Sequence, residues 1–137
     1  MSDALLQAAH VSSVPPVGAS DPGEPLWRPV RAHFGIRAFG VNVWEARSAG
    51  DPVIELHDEI SNGTAAHEEL YFVASGHATF TAGNEEIDAP AGTLVFVRDP
   101  AVARSAIARE AGTTVLAVGA APGRAFSVSP WECKHLT

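Results

Sequence analysis

The chain has 137 residues, of which 46% are hydrophobic and 18% charged, so it is long enough to bury one sizeable core and has the composition of a globular domain. Its net charge of −7 and its lack of any Lys/Arg cluster argue against a nucleic-acid partner. No apolar stretch approaches the length of a membrane span, and the first residues lack a signal-peptide pattern, so we expect a cytoplasmic protein with no membrane contact. The single Cys133 fits a reducing compartment.

The first 25 residues are predicted to form an arm outside the folded domain. Residues 4–9 favour a short helix, and the segment SSVPPVGASDPGEP after it holds four prolines and two glycines. This composition is typical of an extended, mobile segment, and such an arm can also lie along a sheet edge or a partner subunit. We therefore predict a flexible N-terminal arm, residues 1–25, and one domain, residues 26–137.

From residue 36 onward, short runs of β-branched and aromatic residues alternate with turns that contain Gly or Pro. The runs that predict strands cover residues 36–46, 53–57, 69–74, 77–81, 93–97, 101–108, 113–119 and 125–129. Proline lies between these runs, and so does glycine apart from Gly40 and Gly119, as strands require. Eight or nine strands with almost no helix indicate an all-β sandwich or a closed barrel.

Period-two alternation divides the run ELYFVA into two faces. It places Glu69, Tyr71 and Val73 on one face and Leu70 and Phe72 on the other. Glu69 either ends the strand in solvent or is an ionisable group inside the barrel. With Glu69 inside, the change Glu69→Gln is expected to leave stability nearly unchanged or to raise it.

Two segments resemble the motifs of the cupin superfamily, whose members are small jelly-roll β-barrels. In HEELYFVASG, six residues separate Glu69 from Gly76, as in the second half of the first cupin motif, G-x5-H-x-H-x3-4-E-x6-G. In DAPAGTLVFVRDP, Pro90, Gly92 and the strand after them match the first half of the second motif. The resemblance implies an all-β fold, a cupin-type jelly-roll β-barrel (double-stranded β-helix), preceded by the extended arm. It also implies a homodimer.

Most of the metal ligands of that family are missing at the positions that its motifs assign. The first-motif histidines fall at Gly63 and Ala65, or with the longer spacing at Asn62 and Thr64, and the second-motif histidine falls at Val102 or Ala103. An open transition-metal site needs about three protein ligands, and the remaining carboxylate does not supply them. The resemblance therefore implies a cupin with no metal cofactor. The alternative is a divalent transition metal in a rearranged site formed by His57, His67 and Glu69.

Closing a small barrel leaves an interior cavity that holds one small ligand. We predict that Glu69, Tyr71, His57 and Asn42 bind this ligand. Three functions remain open: metal-free binding of a small molecule, metal-independent acid–base catalysis (an isomerase, epimerase or cyclase) by His57 and Glu69, and metal-dependent catalysis at the rearranged site. The carboxylates around the 57–69 loop are interpreted as a solvated acidic rim, the alternative being a buried acid–base set: Glu55, Asp58, Glu59, Glu68 and Glu69.

Overall fold

The computed structural model describes residues 4–18, 21–61 and 65–136. These residues form nine strands: β1 (Leu26–Arg28), β2 (Gly40–Glu45), β3 (Pro52–His57), β4 (Glu68–Ser75), β5 (His77–Ala82), β6 (Glu85–Pro90), β7 (Leu94–Val97), β8 (Arg104–Ala108) and β9 (Thr114–Ala120). They also form two short helices, α1 (Val30–Phe34) and α2 (Pro130–His135), and a 3-10 turn at Val11–Ser13. No helix within the described ranges is long and apolar enough to cross a membrane.

The strands form two antiparallel sheets that face each other. One sheet has five strands in the order β1-β2-β9-β4-β7, and the other has four in the order β3-β8-β5-β6. Because β9 returns between β2 and β4, and β8 between β3 and β5, strands distant in sequence become neighbours in each sheet. The all-β jelly roll predicted from the sequence is confirmed.

The core lies between the inward faces of the two sheets. Val53, Val73 and Val115 are fully buried, and the Tyr71 ring contacts that of Phe80 with 5.3 Å between centroids. Along β4, Tyr71 and Val73 are buried while Leu70 on the other face is 39% exposed. The predicted division of this strand into two faces is therefore correct.

Gly76 makes the tight turn between β4 and β5. Its φ is 80°, in the left-handed region that side chains with a Cβ rarely adopt. A Cβ at this position would also lie 2.4 Å from Oγ1 of Thr113, a buried residue. This close approach is the physical reason for a glycine at the end of the motif.

Several predicted elements differ from the structure. Residues 4–9 are not helical, since so short a segment does not nucleate a helix without packing contacts. Residues 125–129 form no strand; Phe126 instead contacts the ring of His67, with 5.2 Å between centroids. Four elements were not predicted from the sequence because they are short or, for β6, largely exposed: β1, β6, α1 and α2.

Part of the arm lies against the edge strand β1. Val14 is buried, Val17 forms a β-bridge with Trp27, and Arg28 Nη1 donates a 2.8 Å hydrogen bond to the carbonyl oxygen of Val14. These contacts favour the alternative in which the arm covers a sheet edge. The mobility of the arm and the boundary at residue 25 stay predictions.

Candidate functional site

A cavity of about 380 Å³ lies inside the domain. Its walls come from β2, β3, β4 and β9, from the loop after β3, and from the C-terminal segment that includes α2. The lining combines aromatic side chains with ionisable ones, among them Trp44, Tyr71, Trp131, His57, Glu59 and Glu69. This is the chemistry expected of a small-molecule pocket.

His57, the last residue of β3, lies in the wall of this cavity. Alternation places His57 on the face of Val53, which is fully buried; the register with β8 shifts twice along β3, and the two shifts together leave this face unchanged. As a result, Ile54 lies opposite Ala106 and His57 opposite Arg104, and both β8 residues are buried. The first shift turns Ile54 toward the core beside its neighbour Val53 without ending the strand.

The turn after β3 brings Glu59 to the same place. The Asp58 carboxylate accepts hydrogen bonds from the backbone N–H groups of Ile60 and Ser61, at 3.0 and 2.8 Å, which fixes the turn. The N–H of Glu59 donates to the carbonyl oxygen of Pro100 at 2.7 Å, and the Glu59 carbonyl accepts from Ala66 at 2.7 Å. Glu59 is therefore buried, 5% exposed, and is not part of a solvated rim as the sequence suggested.

The imidazole of His57 lies between two carboxylates. Its Nε2 is 3.1 Å from Glu59 Oε2 and 3.4 Å from Glu69 Oε1. Its Nδ1 lies 2.8 Å from the carbonyl oxygen of Glu55, and since a carbonyl only accepts, Nδ1 carries a hydrogen. This contact fixes the ring orientation and presents Nε2 to the carboxylates.

This environment makes His57 a cation at neutral pH. Burial by itself lowers the pKa of His57, but hydrogen bonds to Glu59, Glu69 and the Glu55 carbonyl, together with the Glu69 charge, raise it to about 10. With both ring nitrogens protonated, His57 is a proton donor at pH 7 rather than a general base.

Glu69 is paired inside the barrel. Its Oε1 accepts hydrogen bonds from the Tyr71 hydroxyl and from Arg104 Nη1, the latter at 2.7 Å. Burial raises the pKa of Glu69, but hydrogen bonds from His57 and Tyr71 and the charges of His57 and Arg104 together lower it. The alternative of a solvated strand end is excluded, and the expectation that Glu69→Gln is neutral is revised, because the change would leave Arg104 without its counter-charge.

Arg104 was not identified from the sequence, although a signal was present. In the run ARSAIA, alternation places Arg104 on the face of Ala106 and Ala108, and all three residues are buried. Besides the Glu69 contact, Arg104 Nε donates to the carbonyl oxygen of Val102 at 2.9 Å and Nη2 to that of Asp99 at 3.1 Å. An arginine at an inward-facing position of a strand thus indicates a buried carboxylate partner.

All four residues predicted to bind a ligand line the cavity: Asn42, His57, Glu69 and Tyr71. Asn42 and Tyr71 both pair with Ala117 of β9 and so lie in one row across the sheet. The Asn42 Oδ1 accepts a 2.8 Å hydrogen bond from Trp27 Nε1, which ties its side chain to the aromatic end of the cavity. Binding by these residues stays a proposal.

His67 lies beside the central cluster rather than in it. Its Nδ1 is 4.0 Å from Glu59 Oε1, and its ring contacts Phe126. Within the described ranges, His67 Nε2 is the one buried side-chain nitrogen or oxygen atom without a hydrogen-bond partner. Because His67 lines the cavity, a bound molecule is the natural partner for this atom.

The structure changes the set of candidate metal ligands. The donor atoms of His57, Glu59 and Glu69 lie within 4.8 Å of one another, so Glu59 takes the place that the sequence analysis gave to His67. The spacing His57-x-Glu59 repeats the H-x-H of the first motif, but nine residues, not three or four, separate it from Glu69. Ala65 does not line the cavity, and Gly63, Asn62 and Thr64 lie outside the described residues.

This set does not fit a divalent metal ion. Oε1 of Glu69, one of the three donor atoms, already accepts hydrogen bonds from Tyr71 and Arg104. A metal bound to that oxygen at about 2.0–2.2 Å would lie within roughly 5 Å of a buried and permanently charged guanidinium. The Arg104 guanidinium, 2.7 Å from Glu69 Oε1, also already supplies Glu69 with a counter-charge.

Comparison with known proteins identifies the fold. No family model matches the chain, and no curated protein matches it significantly. A sugar phosphate isomerase of the cupin superfamily from Silicibacter pomeroyi is similar in structure, with a TM-score of 0.64, 17% identity, and coverage of 82% of this chain and 74% of that one. An RmlC-like cupin from Shewanella frigidimarina gives a TM-score of 0.59 at 12% identity, with 84% and 91% coverage. A predicted oxalate decarboxylase from Thermotoga maritima gives 0.62 at 16% identity, with 82% and 97% coverage. The chain has the cupin fold.

Proposed function

We propose that this cupin-fold protein binds a small organic molecule in the barrel cavity without a metal ion and catalyses proton transfer on it, as a metal-independent isomerase, epimerase or cyclase. The observation that supports this most directly is the position of His57, whose Nε2 lies 3.1 and 3.4 Å from two carboxylates at the cavity wall. An inward-facing imidazole–carboxylate pair of this kind favours acid–base chemistry over binding alone.

The cluster supplies both a proton donor and a proton acceptor. The Nε2–H of His57 donates to a carbonyl oxygen of the bound molecule, and the Glu59 carboxylate accepts a proton from the adjacent carbon. Transfer of both protons gives an enol or enediol, a neutral His57 and a protonated Glu59. His57 then takes a hydroxyl proton back while Glu59 returns its proton to the other carbon or the other face, which completes an isomerisation or epimerisation. Glu69, held by Tyr71 and Arg104, keeps a negative charge beside His57 and favours the return of the ring to its protonated form.

The lining favours an uncharged, hydroxylated molecule. Trp44, Phe126 and Trp131 provide flat apolar surfaces, and the unpartnered His67 Nε2 provides a hydrogen-bonding position. None of the lining residues, all of which lie in the described part of the chain, is Lys or Arg. The cavity therefore suits a small hydroxylated aldehyde or ketone better than a phosphorylated one.

Deuterium incorporation tests the proposal across a panel of candidate substrates. Small aldoses, ketoses and hydroxyketones, each with its phosphate ester, are incubated with the protein in deuterated water and followed by proton NMR. We expect exchange at the carbon next to the carbonyl, slowed about 100-fold or more in His57→Gln and Glu59→Gln. The matched control is His77→Gln, because His77 is paired with Asp88 outside the cavity lining.

A second candidate function is binding without catalysis, as in a sensor or carrier. The unpartnered His67 Nε2 favours it, since this atom serves recognition whether or not a proton moves. Saturation-transfer NMR on the same panel distinguishes the two functions. Binding that weakens in His67→Phe, with no deuterium incorporation by the wild type, would support the second candidate and contradict the first.

We also propose that the protein forms a homodimer through the outer face of β4 and β7. Leu70 pairs with Phe96 and Phe72 with Leu94 on this face, and Leu94 is 63% exposed. Adjacent exposed apolar side chains mark an association surface. Light scattering after size-exclusion chromatography should show a dimer that becomes a monomer in Phe96→Glu. Ile87→Glu, at a similarly exposed position on β6 of the other sheet, should leave the dimer intact.

A further inference from the structure

Arg104 places a permanent positive charge inside the barrel. Its side chain is 1% exposed, and it lies directly opposite His57 in the register of β3 and β8. Each of its three nitrogens has a hydrogen-bond acceptor, and among the described residues Glu69 is the charged one; the other two acceptors are the backbone carbonyls of Val102 and Asp99. A buried cation is costly unless it is paired, so this geometry ties Arg104 to Glu69.

Three side-chain donors of the cluster face the same oxygen atom of Glu69. Oε1 accepts from Arg104 Nη1 and the Tyr71 hydroxyl, and His57 Nε2 lies 3.4 Å from it. N–H and O–H donors therefore surround this oxygen atom. They occupy the positions next to it that a bound metal ion would need. The Glu59 carboxylate is the second acidic group of the cluster, and it contacts His57 Nε2.

We propose that the Arg104 guanidinium is the resident cation of this barrel, which takes the place of a metal ion in fixing Glu69 and Tyr71 and excludes a metal from the His57, Glu59 and Glu69 donors. Arg104 is on this view a positioning residue, acting on a bound molecule through Glu69. The inference does not depend on the proposed function, since it holds whether the cavity catalyses a reaction or only binds.

On this proposal, the residue at position 104 determines whether the site binds a metal ion. Removing the guanidinium removes the repulsion, and an imidazole at the same position adds a fourth donor opposite His57. Arg104→His is therefore expected to bind Zn²⁺ or Mn²⁺, whereas Arg104→Lys keeps a positive charge and is expected not to.

The experiment measures metal directly. Wild type, Arg104→Lys and Arg104→His are incubated with Zn²⁺ or Mn²⁺, dialysed, and analysed for metal by mass spectrometry. We expect about one equivalent in Arg104→His and less than about a tenth of an equivalent in the other two, with a melting temperature that falls on addition of chelator in Arg104→His alone. His57→Ala in the Arg104→His background should abolish the binding.

Two results would overturn the proposal. One is stoichiometric, chelator-sensitive Zn²⁺ or Mn²⁺ in the wild type, because the three donors would then hold a metal despite the guanidinium. The other is an Arg104→His protein that is folded by circular dichroism yet binds no metal. The wild-type measurement needs no variant, so the proposal remains falsifiable if Arg104→His does not fold.

Discussion

Nε2 of His57 lies 3.1 Å from Oε2 of Glu59, two residues further along the chain. Two residues separated by one position point in the same direction on a regular strand, but here β3 ends at His57 and Glu59 belongs to the turn that follows. The backbone bonds of Glu59 to Pro100 and Ala66 hold it in place. The contact therefore depends on the turn as much as on the strand, and it is one of the contacts that raise the pKa of His57.

The first prediction concerns the pH dependence of stability. The pKa of His57 is raised from 6.5 to about 10 in the folded protein, so the folded state binds this proton more tightly than the unfolded state. The stabilisation from His57 is fully present below about pH 6.5 and is lost as the pH rises toward 10. The free energy of unfolding in urea should fall over this interval in the wild type, and by less in His57→Gln.

Direct observation of the same group gives a control for that measurement. NMR of the His57 ring should show no deprotonation at neutral pH, and Glu59→Gln should lower the pKa of His57 because it removes the closer carboxylate. A wild-type His57 that titrates near 6.5 would contradict the assignment of an imidazolium.

The second prediction concerns Glu69→Gln. The change leaves the Arg104 guanidinium buried without a counter-charge, and breaking a buried pair in this way costs about 3–5 kcal/mol of unfolding free energy. The matched control is Glu68→Gln, one residue away on the opposite face of β4, which should change stability by less than about 0.5 kcal/mol. Urea denaturation measures both, and equal, small effects would show that Glu69 is not paired in solution.

The faces of β4 could be predicted because its alternation is regular and because Gly76 fixes its end. The inward position of His57 follows from alternation with the buried Val53. Its contacts could not be predicted, since two register shifts along β3 bring it opposite Arg104 and no residue type in VIELH marks them. The loop between His57 and Glu69 is longer than the motif allows, so counting back from Glu69 led to Gly63 and Ala65 instead of His57 and Glu59.

Arg104 was missed for a different reason. Arginine is usually exposed, so its residue type alone does not indicate a position inside a barrel. The small side chains of Ala106 and Ala108 on the same face leave space for a long side chain to enter the barrel. Alternation combined with this size pattern would have predicted a buried arginine and hence the partner of Glu69.

The third prediction tests the orientation of β4. Val73 is fully buried, so Val73→Asp places an unpaired charge in the core and should cost more than about 4 kcal/mol, enough to unfold the domain. Leu70→Asp, on the outer face of the same strand, should leave the protein folded because Leu70 is 39% exposed. Circular dichroism of the two variants provides the comparison, and a folded Val73→Asp protein would contradict the assignment of faces.

The fourth prediction concerns the N-terminal arm. Val14 and Val17 contact the domain at β1, whereas Leu5 and Leu6 are exposed. Limited proteolysis should therefore cut before residue 10 first and leave Val14 attached to the domain. Early cutting between residues 14 and 17 would instead show that the arm is mobile over its whole length, and Val14→Asp should produce that same early cutting in an otherwise folded protein.

The last prediction uses Tyr71, the single tyrosine of the chain, whose phenolate absorbance reports on this one group. Burial, the charge of Glu69 and the hydrogen bond to Glu69 all raise the pKa of Tyr71 well above its ordinary value, while Arg104 lowers it. The folded protein should form no phenolate at pH values where the urea-unfolded chain titrates near its usual pKa of about 10. Glu69→Gln should lower the pKa of Tyr71, and Arg104→Gln should raise it, because the two changes remove charges of opposite sign. A folded wild-type protein that titrates like the unfolded chain would mean that the Tyr71 hydroxyl reaches solvent, and the hydrogen bond to Glu69 would then be wrong.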